Sequence, residues 1–84
     1  MKEVLYFGAA WCEPCKRLGP IVEELRAENP EVTFRKIDVD EEPEEAKTYQ
    51  VRALPTLVYL EDGKEVERVL GFAAKQEIAD VFKL

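Results

Sequence analysis

The stretch from Val4 to Leu25, VLYFGAAWCEPCKRLGPIVEEL, decides the fold. Val4 to Phe7 is an apolar run of strand formers closed by Gly8, and its hydrophobicity on both sides predicts a buried, central strand. After a loop at Ala9 to Trp11, Leu18, Ile21, Val22 and Leu25 recur at i, i+3, i+4 and i+7, which is the stripe of an amphipathic helix. That helix is predicted from about Cys12 to Asn29. Pro20 removes a hydrogen bond to Lys16 and introduces a kink, while Asn29 and Pro30 supply the stop. The only two cysteines, Cys12 and Cys15, therefore fall at the first turn of a helix that follows a buried strand.

That placement gives the pair its chemistry. Unpaired backbone N–H groups and the positive end of the helix dipole stabilise a thiolate on Cys12, and thiols in such settings span pKa values of roughly 3.5 to 7.5. Pro14 suits a first turn because no intrahelical N–H bond is lost there, and it stiffens the spacer. Cys15, one turn on, is expected to face inward and to close a disulfide with Cys12 without backbone movement. A strand, a Cys-x-x-Cys and a helix start form the context of a redox dithiol. Two other readings stay open on the residues alone. The thiols could be two buried apolar groups, or half of a zinc or iron–sulfur site completed by a second subunit.

Outward from this core, Val32 to Asp38 alternates Val32, Phe34 and Lys36 with Thr33, Arg35 and Ile37, a second strand whose buried face is left open. A strand–helix–strand order predicts a right-handed parallel crossover. Pro43 opens a short helix through Tyr49, with Glu41, Glu42, Glu44 and Glu45 near the favourable end of its dipole. The carboxylates from Asp38 to Glu45 read as a solvated face without catalysis. Thr56 to Leu60 and Glu65 to Leu70 flank an Asp62-Gly63 pair, the signal of an antiparallel hairpin. Ala74, Ile78, Val81 and Phe82 mark one face of a closing helix. The order is β-α-β-α-β-β-α in one domain spanning 1–84, without linker or repeat.

Composition narrows the function. Twelve Lys and Arg against eighteen Asp and Glu give a net charge of −6, which opposes nucleic-acid binding. Histidine is absent, so His-based triads, metal sites and imidazole switches are excluded. Lys2 and Glu3 interrupt the N-terminal apolar run far short of the roughly 18 residues of a transmembrane helix, and no signal peptide is visible. The expected location is the reducing cytoplasm, where a static structural disulfide is unusual. Trp11, in a loop beside the candidate nucleophile, is expected to be partly exposed. Pro55, directly before a strand, is compatible with a plain strand-start proline or with a cis bond.

From Trp11 to Pro20, WCEPCKRLGP resembles the thioredoxin family, whose usual motif is WCGPCK followed by the same kinking proline. RALPT at Arg52 to Thr56 is similar to the family's cis-proline segment, and Asp62-Gly63 and Gly71 fall at its later glycine positions. The resemblance covers the whole chain but without the additional N-terminal strand and helix of longer members. It implies the minimal, glutaredoxin-sized thioredoxin fold, an α/β fold with a four-stranded mixed sheet flanked by helices.

The same resemblance implies a thiol–disulfide oxidoreductase that reduces protein disulfides. Cys12 would attack as an exposed thiolate and Cys15 resolve, and Pro55 would be cis, with Trp11, Leu54, Pro55 and Gly71 shaping the substrate groove. No cofactor or metal is implied beyond the Cys12/Cys15 pair. The implied partners are protein disulfides and a thioredoxin-reductase-like electron donor, for a monomer that binds neither membrane nor nucleic acid. Glu13 replaces the usual glycine between the cysteines. Tyr6 stands where the family usually buries an aspartate, so the partner of Lys36 and the proton route to Cys15 are undetermined. A glutathione-linked reductase of the glutaredoxin type is the alternative, although the CPYC and TVP sequences of that group are absent. A metal-bridged Cys-x-x-Cys protein is the other.

Overall fold

A computed structural model describes all residues 1–84. Seven elements follow in the order β1 (Lys2–Gly8), α1 (Glu13–Glu28), β2 (Val32–Asp38), α2 (Pro43–Thr48), β3 (Thr56–Glu61), β4 (Lys64–Leu70) and α3 (Lys75–Phe82). This is the predicted sequence of elements, with small shifts at the ends. The largest in consequence is at α1, which starts one residue later than expected and leaves Cys12 as its N-cap. α1 runs through Pro20 as a single helix.

The sheet order is β2-β1-β3-β4, with β1 and β2 parallel and the other two pairs antiparallel. β1 and β3 are the central strands, which explains why each reads as an almost unbroken apolar run. The hairpin turns at Asp62 and Gly63, both at positive φ, 52° and 84°, as its tight Asp-Gly signal requires. On edge strand β4, Tyr59 pairs with Glu67 but Leu60 with Glu65, so Val66 is left over as a bulge. The bulge and the surrounding charges make a poor template for pairing with another chain.

Side-chain alternation splits the core in two. Val4, Tyr6, Leu57, Tyr59 and Val69 pack against Leu18, Val22 and Leu25 of α1 and Ile78 and Phe82 of α3. Leu5, Phe7, Ile37, Val58 and Leu60 pack on the opposite face against Ala46, Tyr49 and Val51 of the α2 region. The face of β2 that the sequence left open is thereby settled: Val32 joins the α1 side and Ile37 the α2 side. Burying each such side chain contributes about 1.5 to 3 kcal/mol. The layers place the end of β1, the start of α1 and the segment before β3 at one edge of the molecule, where Ala9, Cys12 and Cys15 form a third, small cluster with Val39 and Leu54.

Candidate active site

The site begins with the helix cap. Cys12 has extended backbone angles, φ −93° and ψ 108°, and its Sγ accepts the Cys15 N–H at 3.3 Å. The sulfur thus takes the place of a capping oxygen, where free N–H groups and the helix dipole favour negative charge. Pro14 occupies the first turn, as expected. One turn later Cys15 is 3 % exposed and disulfide-bonded to Cys12, with the Cα atoms 5.3 Å apart. The two sulfurs bond each other, and no group of three or more His, Cys, Asp or Glu side chains is placed to hold a metal ion.

Cys12 itself is less open than an attacking sulfur was expected to be, at 5 % exposure. Val39 and Leu54, from segments far away in sequence, close over it. Access comes through a cleft of about 510 Å³ whose walls are Trp11, Pro14, Val39, Ala46, Val51 and Leu54, with Glu13 and Arg52 also lining it. Trp11 is 67 % exposed, and its indole N–H donates to Asp40 Oδ2 at 2.8 Å. Asp40 is held in turn by its own N–H, which donates to Asp38 Oδ1 at 2.8 Å. The acidic run is therefore not only a solvated face, because one of its carboxylates fixes the indole at the cleft. A run of six charged residues among eight positions carries no local signal that could single out Asp40.

Leu54 lines the cleft, and the Leu54-Pro55 peptide bond is cis. Pro55 is buried, and the Thr56 hydroxyl donates to the Ala53 carbonyl at 2.6 Å across the bend. Gly71, expected at the groove, does not line the cleft. Its N–H donates to the Pro55 carbonyl at 2.7 Å and its φ is +78°, so glycine here lets the chain turn while holding the proline loop. Val39, Ala46 and Val51 are cleft residues that sequence reasoning missed, since nothing local marks an apolar side chain as wall or core, and Arg52 is a fourth.

The remaining predicted positions divide between the two sides of the disulfide. The Glu13 carboxylate is highly exposed and lies 3.3 Å from Lys16 Nζ, so a cation accompanies it. Tyr6 is buried, its hydroxyl donates to the Cys15 carbonyl, and burial raises its pKa above the ordinary value. Lys36 sits beside Tyr6 in the β1–β2 register with an exposed side chain.

The family model described as Thioredoxin matches residues 1–83. A thioredoxin of Mycoplasmoides gallisepticum is 42 % identical over 82 residues, which are 98 % of this chain and 82 % of that protein. Among solved structures, Fasciola hepatica thioredoxin superposes with a TM-score of 0.91 at 44 % identity, covering 98 % of this chain and 78 % of that one. A chain from the structure on the thiol resolving mechanism in yeast mitochondrial 1-Cys peroxiredoxin via glutathione/thioredoxin systems reaches 0.89 at 36 % identity, covering 99 % and 78 %. These matches carry the thioredoxin name and outweigh the glutaredoxin alternative. With a Cys12–Cys15 disulfide at the start of α1, the chain belongs to the thioredoxin family and is a thiol–disulfide oxidoreductase.

Proposed function

We propose that this chain reduces disulfides of protein substrates, with Cys12 as the attacking sulfur and Cys15 as the resolving one. The observation that carries the assignment is the asymmetry of the pair. Cys12 lines the cleft and caps the helix, whereas Cys15 does not line the cleft. In the reduced protein the Cys12 thiolate attacks one sulfur of the substrate disulfide, the other sulfur leaves as a thiolate, and a mixed disulfide forms. Cys15 then attacks Cys12, closing the Cys12–Cys15 bond and releasing the second substrate sulfur. The substrate gains two electrons and the protein loses two, so the dithiol is the only redox group this reaction uses.

The apolar wall of Trp11, Pro14, Val39, Val51 and Leu54 suits an extended segment around the target cysteine, laid beside the Leu54 backbone. A thioredoxin-reductase-like donor is the proposed source of electrons, in the cytoplasm. Similarity to a chain from a study of a peroxiredoxin's resolution via glutathione/thioredoxin systems supports a protein thiol partner. No helix is long and apolar enough to cross a membrane. The charge of −6 favours partners with basic surfaces, less so as salt rises.

Insulin reduction, run beside a glutathione-coupled assay, tests the substrate class, and two variants test the roles. Cys12→Ser is expected to lose reduction, and Cys15→Ser to attack once and stall as a mixed disulfide. Sustained turnover by Cys15→Ser, trapping by Cys12→Ser, or faster glutathione-coupled than insulin turnover would overturn the assignment.

A further inference from the structure

A second cavity, of about 400 Å³, shares no lining residue with the cleft and opens on Cys15 instead of Cys12. Its walls follow from strand register. β1 and β2 pair Tyr6 with Lys36 and Gly8 with Asp38, and alternate residues of a strand face the same side, so all four positions lie on the α1 face. All four line the cavity, together with Lys16 of α1. Gly8 matters by its size. Its φ is not positive, yet a Cβ there would stand 3.4 Å from both Cβ and Sγ of Cys15. Glycine leaves the space between the Cys15 sulfur and the neighbouring strand open, and the residue across that space is Asp38.

The groups that face Cys15 in this cavity are few. From β1 comes Tyr6, a neutral phenol whose hydroxyl is spent on the Cys15 carbonyl. From α1 comes Lys16, shared with Glu13, and from β2 come Lys36 and Asp38. The ammonium groups have no free lone pair, so they stabilise a thiolate without accepting its proton. Asp38 alone is a base. Its Oδ1 accepts the N–H groups of Asp40 at 2.8 Å and Glu41 at 3.3 Å, leaving Oδ2 without a protein partner.

The geometry points to Asp38 as the acceptor of the Cys15 thiol proton in the resolving step, reached through water in this cavity. The inference rests on Cys15 being the resolving sulfur. As the thiol proton passes to a water and a proton of that water passes to Asp38, the Cys15 thiolate attacks Cys12 Sγ. The Cys12–Cys15 bond forms, the bond from Cys12 to the substrate breaks, and the substrate sulfur leaves with the electron pair. Asp38 then returns its proton to solvent. Lys36 and Lys16 hold the transient negative charge.

Stopped-flow reaction of the reduced protein with an aromatic disulfide such as dithionitrobenzoate separates the steps: one thionitrobenzoate leaves when Cys12 attacks, the second when Cys15 resolves. Asp38→Asn keeps an Oδ1 acceptor for Asp40 and Glu41, so the turn is retained. Its second phase is expected to slow about a hundredfold relative to the first near neutral pH, the lower end of the usual range of base catalysis. Its pH profile should move to higher pH, and Asp38→Glu should recover part of the rate. A purely electrostatic role predicts the reverse, because removing a negative charge beside a thiol favours the thiolate and speeds resolution. A second phase in Asp38→Asn that is unchanged or faster overturns the inference. Gly8→Ala, which narrows the path without touching a charge, is expected to slow the same phase, and an unchanged rate there also counts against it. Cys15→Ser should lack the second phase altogether. If it persists, the role of Cys15 fails first, whatever Asp38 does.

Discussion

Replacing Tyr6 by phenylalanine removes one oxygen atom from the contact between β1 and α1. Tyr6 is 5 % exposed within the α1 side of the core, so the ring's packing against its neighbours is retained in Tyr6→Phe. What is lost is the hydrogen bond from its hydroxyl to the Cys15 carbonyl. A buried neutral hydrogen bond contributes about 0.5 to 1.5 kcal/mol net. With an m-value of about 1 kcal/mol/M, urea unfolding of the oxidised protein should show a midpoint lower by about 1 M and an unchanged slope. The thermal midpoint should fall by roughly 4 to 8 °C for each kcal/mol. A pH series gives a second reading. Burial raises the folded pKa of Tyr6 above the ordinary 10.0, so its contribution is fully present below about 10 and is lost as pH rises through the folded value. Tyr6→Phe should therefore lose less stability than the parent at high pH. Some alkaline loss should persist, because Tyr59 is also raised, first by burial and then by its hydrogen bond to Glu61. An unchanged midpoint in Tyr6→Phe at neutral pH would refute the reasoning. So would a loss above about 3 kcal/mol, which only a packing defect could supply.

Two further variants address charge. The Arg68 guanidinium donates to both oxygens of Glu65, at 2.8 Å each, and to the Tyr49 carbonyl at 2.7 Å, tying β4 to the end of α2. Those hydrogen bonds lower the Glu65 pKa from its ordinary 4.5 despite partial burial, so the contribution is present above about 4.5 and lost as pH falls through the depressed folded value. The Glu65 side chain is 38 % exposed, and discounting for solvent screening leaves under about 1 kcal/mol. Glu65→Gln should be less stable than the parent near neutral pH by that amount, with the difference shrinking in acid, as read by urea midpoints; a constant difference at every pH would argue against the pair. At the cleft, the Glu13 charge disfavours the Cys12 thiolate and hence the reduced form, but Lys16 3.3 Å away offsets it. Glu13→Gln should raise the reduction potential by under about 10 mV on the scale where 30 mV is 1.4 kcal/mol. Lys16→Gln should lower it, and high salt should erase both shifts. Equal shifts at low and high salt would exclude this electrostatic origin.

What could be read from the sequence was local. The stripe of Leu18, Ile21, Val22 and Leu25, the apolar run of β1, the Asp62-Gly63 turn and the Cys-x-x-Cys at a helix start are each encoded within a few consecutive residues, because hydrophobic period and turn chemistry act over one or two turns of chain. That was enough for the element order, the central place of β1 and the position of the two cysteines. The cap at Cys12 moved by one residue because capping depends on where its sulfur meets the Cys15 N–H, which periodicity does not register.

The tertiary structure decided everything that joins distant segments. Only the sheet register sets Asp38 beside Gly8 and so opens a polar cavity onto Cys15. Only the packing of the α2 region brings Val39 and Leu54 over Cys12 and Val51 to the cleft wall, turning an expected exposed sulfur into one reached through a cleft. The indole of Trp11 meets Asp40, twenty-nine positions away, and the Gly71 N–H meets the Pro55 carbonyl beyond the β3–β4 end. Side-chain identities along the chain state which groups are available. Which of them meet depends on strand pairing and layer packing, whose loop-closure entropy is met by the burial of the whole core and not by any one motif.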